Sequence, residues 1–273
     1  MPFDTAAFAA ALRTRRLGRP LHYAAAMAST NPTLLDAAAA GAAAPGTAAL
    51  AEEQSAGRGR QRRLWHSPPD RNLYFSVLWE SRQPAARLPQ LAMVAALALR
   101  EAVAAAFPEL EIGLKWPNDL LDAAGRKLSG ILCECPPWPS GAARRAVVIG
   151  VGLNVNAEAA DFPPELAATA GSLRIASGRA CSREELLADV FAALERWLER
   201  WERSADFREC ADEWRRHDLL RGRQVAAMLP GQRRLEGVAE GIADDGVLLL
   251  RLADGATAAV SAGDVHLRVA PRA

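Results

Sequence analysis

Excess charge of one sign, metal-ligand spacing and long apolar runs are all scarce in this chain. Its 273 residues carry 33 Lys+Arg against 32 Asp+Glu, a formal net charge of +1. No global basic field exists to draw in a polyanion, which argues against a nucleic-acid role. The four cysteines, Cys133, Cys135, Cys181 and Cys210, contain no Cys-x-x-Cys pair. Cys133 and Cys135 stand two apart, so on a strand they would share a face, and they read as buried thiols. His22, His66, His217 and His266 are scattered without ligand spacing, so structural zinc is not expected. No run of about 18 apolar residues exists, and the N-terminus has no secretory core. Residues 3–17 are Arg-containing and amphipathic, as a transit peptide is, but Asp4 as a helix N-cap accounts for them more simply. The expectation is a cytoplasmic protein in a reducing compartment, with no membrane partner.

What is present is ordinary for a globular chain, with 50% hydrophobic and 24% charged residues. The length suits one large domain plus a small appendage. The unusual stretch is Gly57-Arg58-Gly59-Arg60-Gln61-Arg62-Arg63-Leu64-Trp65, lying between two segments that read as strands, 47–53 and 72–79. Its two glycines permit backbone angles closed to other residues and let the main chain approach a ligand. Its four arginines are planar forked donors that match phosphate and carboxylate oxygens two at a time. Trp65 offers a flat face for a purine. An anion-binding flap for a nucleotide and an acid is the sharp reading; a solvated basic turn, or an Arg-Gly segment meeting nucleic acid, is the bland one.

In chain order, 4–17 fits a short helix with Arg13, Arg15 and Arg16 in its last turns. Only 28 residues precede Ser29, too few for a separate DNA-binding headpiece. Ser29-Thr30-Asn31-Pro32 is a helix start: capping residues, then proline in the first turn. Residues 88–107 fit a core helix closed by Pro108, and 112–116 a strand entering Pro117-Asn118-Asp119. A hairpin of 120–122 and 127–135 turns at Ala124-Gly125, and the strand 146–151 runs into Gly152-Leu153-Asn154-Val155-Asn156. Residues 163–173 read as irregular, covering part of the site, and helices follow over 182–203 and 206–217. A boundary near 219–222 divides the chain into 1–220 and 221–273. The second part holds five short strand-like pieces separated by Pro230-Gly231, Asp244-Asp245-Gly246, Asp254-Gly255 and Gly263-Asp264, the spacing of a small SH3-type barrel leaning on the main domain. Strands and helices interleave irregularly, so the main domain reads as α+β rather than doubly wound.

Taken as an ordered set, Ser-Thr-Asn at 29–31, Gly-Arg-Gly-Arg-x-x-Arg-x-Trp at 57–65, Lys-Trp-Pro-Asn-Asp at 115–119, Lys-Leu-x-Gly-Ile-Leu-x-Glu at 127–134 and Gly-x-Gly-x-Asn-Val-Asn at 150–156 resemble the biotin protein ligases. The resemblance runs from about Ser29 to Asn156, and the C-terminal barrel extends it to the chain end. It implies a mixed sheet with flanking helices, like that of class II synthetases, followed by an SH3-like barrel. It also implies an enzyme that activates biotin with ATP and Mg²⁺, then passes it to one lysine of the biotin carboxyl carrier protein of acetyl-CoA carboxylase. Lacking a winged helix, this chain would be monofunctional, bind no DNA, and exist as a monomer or weak homodimer.

By the same resemblance, Ser29, Thr30, Asn31 and Gln54 surround the biotin head, and Arg58, Gly59 and Arg60 close over the acyl-phosphate region. Lys127 touches both the biotin carboxylate and the α-phosphate. Arg63 is a phosphate ligand, Trp65 lies against adenine, and Lys115, Asn118 and Asn154 complete the ATP or adenylate set. Lys127, Arg60 and Asp119 are the catalytic candidates, with Asp119 orienting metal or the incoming amine; Mg²⁺ arrives with the ATP phosphates and has no certain protein ligand. One departure is Arg62, where the family loop usually has glycine, which leaves the loop path open. Competing readings are a lipoate ligase running the same adenylation on another acid, a nucleic-acid module using the arginine loop, and a non-catalytic biotin binder. The 57–65 and 115–119 signatures favour biotin; the acids Glu52, Glu53 and Asp70 flanking the loop oppose nucleic acid; the retained Lys127 opposes a mere binder.

Overall fold

The computed structural model describes residues 1–137, 143–229, 231, 233–261 and 264–267. Strands β1 (Leu21–Met27), β2 (Ala48–Gln54), β3 (Leu73–Ser81), β4 (Gly113–Lys115), β5 (Asp119–Leu121), β6 (Lys127–Glu134) and β7 (Arg145–Leu153) make one sheet, in the order β1-β2-β3-β7-β6-β5-β4. β1 and β2 pair in parallel and all other neighbours antiparallel, so the sheet is mixed, as expected. Helices α1 (Thr5–Ala11), α2 (Thr30–Ala39), α3 (Leu91–Ala106), α4 (Leu173–Ser177), α5 (Arg183–Arg203) and α6 (Arg208–Arg216) flank it.

Alternation along the central strands sets the layers. Phe75, Val77 and Trp79 of β3 and Val147, Ile149 and Val151 of β7 enter the large core with α3 and α5. Leu78 and Val148 face the other way and pack with Leu34 of α2. The stretch Ala85–Ala106 is long and apolar enough to cross a membrane by composition alone, but α3 is the buried core helix, with Leu91, Val94, Leu97, Leu99 and Val103 all within the core.

Three local expectations fail for physical reasons. β1 was not anticipated: Leu21-His22-Tyr23-Ala24-Ala25-Ala26-Met27 is alanine-rich and weak in β-formers, and only pairing with β2 makes it a strand. α1 keeps its Asp4 cap, whose Oδ1 accepts from the N–H groups of Ala6 and Ala7, but it ends at Ala11 rather than at 17. The buried Glu195 carboxylate takes the N–H groups of Arg15, Arg16 and Leu17 at 2.8, 2.8 and 3.0 Å, which holds that backbone outside a helix. Of the cysteines, Cys210 is buried, but Cys135 lies just past the end of β6 and is exposed.

The C-terminal strands β8 (Gln224–Met228), β9 (Arg234–Ile242), β10 (Leu248–Arg251), β11 (Thr257–Val260) and β12 (Asp264–Leu267) form an antiparallel sheet, ordered β11-β10-β9-β8-β12, of the kind that makes a small barrel. Gly246 and Gly255 take the left-handed turn conformation, with φ of 87° and 85°. Pro230 and Gly263, in two of the expected turns, lie outside the described residues. Val225, Ala227, Leu248, Leu250 and Val265 join the same hydrophobic cluster as the main sheet. The barrel therefore does lean on the larger part.

Candidate active site

The α2 N-terminus, the arginine loop and the ends of β5, β6 and β7 converge on one face of the sheet. The loop closes on itself. Arg58 bridges Leu64, the Gly59 N–H donates to the Arg63 carbonyl at 2.7 Å, and the Trp65 N–H donates to the Gly57 carbonyl at 2.9 Å. A Cβ on Gly57 would fall 2.8 Å from the Trp65 carbonyl oxygen, so this closure needs glycine. The left-handed residue of the loop is Gln61, with φ 56° and ψ 32°. Arg62 shares its turn, Arg60–Arg62, and the positive φ of that turn falls at Gln61, one residue earlier.

Trp65 lies on a floor of glycine. A Cβ at Gly152 would come within 2.3 Å of its Cε2, and one at Gly130 within 3.0 Å of its Cζ3. The two glycines are register partners on β6 and β7, which is why both motifs carry one there. Beside the indole, Lys127 Nζ stands 5.5 Å from the ring centroid and 2.6 Å from Asp119 Oδ1. Lys127 opens β6, and its backbone is clasped by the expected irregular segment: its N–H donates to the Thr169 carbonyl at 2.7 Å, and its carbonyl accepts from Gly171 at 3.0 Å.

A polar network fills the wall at the start of α2. The Ser29 hydroxyl makes no cap bond, while the Thr30 N–H donates to Gln54 Oε1 at 2.9 Å and Gln54 Nε2 lies 3.3 Å from Ser67 Oγ. Asn31 is buried, with its Nδ2 donating to the Leu132 carbonyl at 3.1 Å and to Glu134 Oε2 at 2.8 Å. Gly150 makes room for it, since a Cβ there would lie 2.0 Å from Asn31 Oδ1. Arg58 Nη2 comes 3.8 Å from the same Glu134 oxygen, and Arg60 Nη1 donates to Asn118 Oδ1 at 3.2 Å. Lys115 stands opposite Asp119 across β4 and β5, and Arg63 is exposed on the loop. Asn154 is buried, and its amide is committed to the Gly171 carbonyl at 2.9 Å and the Lys127 carbonyl at 3.4 Å.

Ser67, Ser76 and Glu134 were not singled out from the sequence, although Glu134 closes the 127–134 motif. A second buried group was also missed. Arg183 Nη1 and Nη2 meet Glu52 Oε2 and Oε1 at 2.6 and 3.2 Å, both side chains nearly sealed from solvent. Tyr23 OH donates to Glu52 Oε1 at 3.0 Å and Arg183 Nη2 donates to the Met1 carbonyl at 2.8 Å. Burial pushes the Glu52 carboxyl up, but the Arg183 hydrogen bond and the Phe3 N–H together hold it below the ordinary value.

Residues 23–154 match the biotin/lipoate A/B protein ligase family, and residues 221–268 match the biotin protein ligase C terminal domain. The biotin--[acetyl-CoA-carboxylase] ligase of Mycobacterium tuberculosis is 39% identical over 254 residues, which cover 92% of this chain and 90% of that protein. The bifunctional ligase/repressor BirA of Bacillus subtilis is 33% identical over 260 residues, 94% of this chain and 76% of that one. Among solved structures, a biotin protein ligase from Aquifex aeolicus in complex with biotin and ATP shares the fold with a TM-score of 0.77 and 27% identity, covering 93% of this chain and 99% of that chain. With its loop, glycine floor and α2 wall assembled in one site, and with relatives at 33% and 39% identity covering more than nine-tenths of it, the chain belongs to the biotin protein ligases.

Proposed function

We propose that this protein activates biotin with ATP to biotinyl-5′-AMP and transfers biotin to a specific lysine of the biotin carboxyl carrier protein of acetyl-CoA carboxylase. The observation that carries this is Lys127 beside Trp65 over the glycine floor, with Arg58 held near Glu134 and Arg60 on Asn118. A carboxylate is a poor acyl donor, so its oxygen first attacks the α-phosphorus of ATP and pyrophosphate leaves. Holding two anions in contact needs preorganised cations, and Lys127 and the loop arginines supply them. The acceptor lysine, as a free amine, then attacks the acyl carbon; AMP leaves with the electron pair of the broken anhydride bond, and the amine gives up a proton. Asp119 orients that amine. Thr30 and Gln54 hold the polar head, and Trp65 lies against adenine.

Among the described residues no three His, Cys, Asp or Glu groups converge as a cation cage. Mg²⁺ brought in with ATP would neutralise phosphate charge, and none of the steps above is routed through it. The ligase is placed in the cytoplasm, as a monomer or weak homodimer, and its near-neutral charge supports a reading without DNA binding. The test is biotin-dependent ATP–pyrophosphate exchange, followed by labelling of a carrier domain. Exchange without labelling removes the carrier step, and no exchange with biotin overturns the reading.

A further inference from the structure

Ser76 of β3 is fully buried at the back of the α2 wall. Its Oγ lies 2.6 Å from Asn31 Oδ1 and 2.8 Å from Thr30 Oγ1. A serine hydroxyl has one hydrogen, so both contacts cannot be donations by Ser76. Asn31 decides between them. Its other amide atom faces the Leu132 carbonyl at 3.1 Å and Glu134 Oε2 at 2.8 Å, two groups that accept. A flipped amide would set its oxygen against both, so that atom is the nitrogen and Oδ1 faces Ser76. An amide oxygen only accepts, hence Ser76 donates to Asn31.

Thr30 must then donate to Ser76. Its other acceptor, Gln54 Oε1, is farther off at 3.4 Å and already receives the Thr30 N–H at 2.9 Å. The Thr30 hydrogen thus points into the wall and its lone pairs point outward. One direction of hydrogen bonding runs from Thr30 through Ser76 and Asn31 to Glu134, and the acceptor-only carboxylate at its end holds that direction.

We infer that Ser76 is a positioning residue for head-group recognition. It fixes the hydroxyl direction that Thr30, beside Gln54, presents to the polar ring of the acid, while touching none of the reacting atoms. This rests on the biotin reading above. A pattern fixed in advance strengthens binding of the acid in ground state and transition state alike, so its loss shows in KM for the acid and not in kcat.

The test is Ser76→Ala in ATP–pyrophosphate exchange. KM for biotin rises about tenfold, the loss of one buried hydrogen-bond partner, while kcat and KM for ATP stay within about twofold. Calorimetric titration with biotin alone gives the same tenfold weakening, and it reads the effect apart from turnover. A KM for biotin within about twofold of the parent, or equal rises in both KM values, overturns the inference; mere loosening of the fold would raise both. A parent protein that exchanges nothing with biotin overturns the functional reading instead.

Discussion

Lys127 of β6 reaches diagonally across to Asp119 of β5, with Nζ 2.6 Å from Oδ1. The carboxylate holds the lysine head beside Trp65 before any anion arrives. On the proposed mechanism Lys127→Ala removes the cation that faces both reactants, and exchange is expected to slow about a hundredfold or more. Biotin binding alone should suffer less. Near-normal exchange in this variant would show that the role lies elsewhere.

The loop arginines repel one another until anions arrive, and its two glycines add chain entropy. Trypsin cleavage after Arg58, Arg60, Arg62 or Arg63 is expected to fall when biotin and ATP are added together. Equal cutting rates with and without ligands would remove the closing flap from the mechanism.

Gln61, with φ 56°, bears a steric cost of about 1 kcal/mol that glycine would not. Gln61→Gly should therefore leave exchange intact. Arg62→Gly should keep biotin and ATP affinity within about twofold, less than roughly 0.5 kcal/mol. Arg63→Gly, which deletes the motif's own arginine, should be far more harmful. If Arg62→Gly proves as damaging as Arg63→Gly, Arg62 is a working ligand.

Acid should weaken the fold through Glu52. Its carboxyl is held below the ordinary 4.5 in the folded chain, so its contribution is present above that value and lost as pH falls through the folded one. Glu52→Gln strands the buried Arg183 and should cost about 3 kcal/mol near neutral pH. It should also flatten the fall in melting temperature below pH 4.5, and a variant with the parent's acid profile would assign that fall to other carboxylates.

Much of the site was legible because its chemistry needs residue types that patterns reveal. Glycine at 130 and 152 is required by the indole above, and the arginine loop announces itself. Ser76 was not legible: a serine inside an apolar strand looks like any other, and only the packing of β3 under α2 turns it towards Asn31. Glu52 and Arg183 are 131 residues apart in sequence, and no periodicity relates them. β1 was hidden for a different reason, since alanine favours helices and the partner strand overrides that preference.

The Trp116 indole N–H reaches out of the Lys115–Asp119 motif to the Gly246 carbonyl in the β9–β10 turn, at 3.0 Å. The same turn glycine lies against Met93 of α3 and Phe207, and the Gln90 amide donates to Asp245 beside it. The two sheets are thus not interchangeable cassettes. A chimera carrying a foreign barrel would inherit a β4–β5 hairpin whose outer tryptophan has lost its acceptor, and it would have to re-evolve that joint before the pair behaved as one machine.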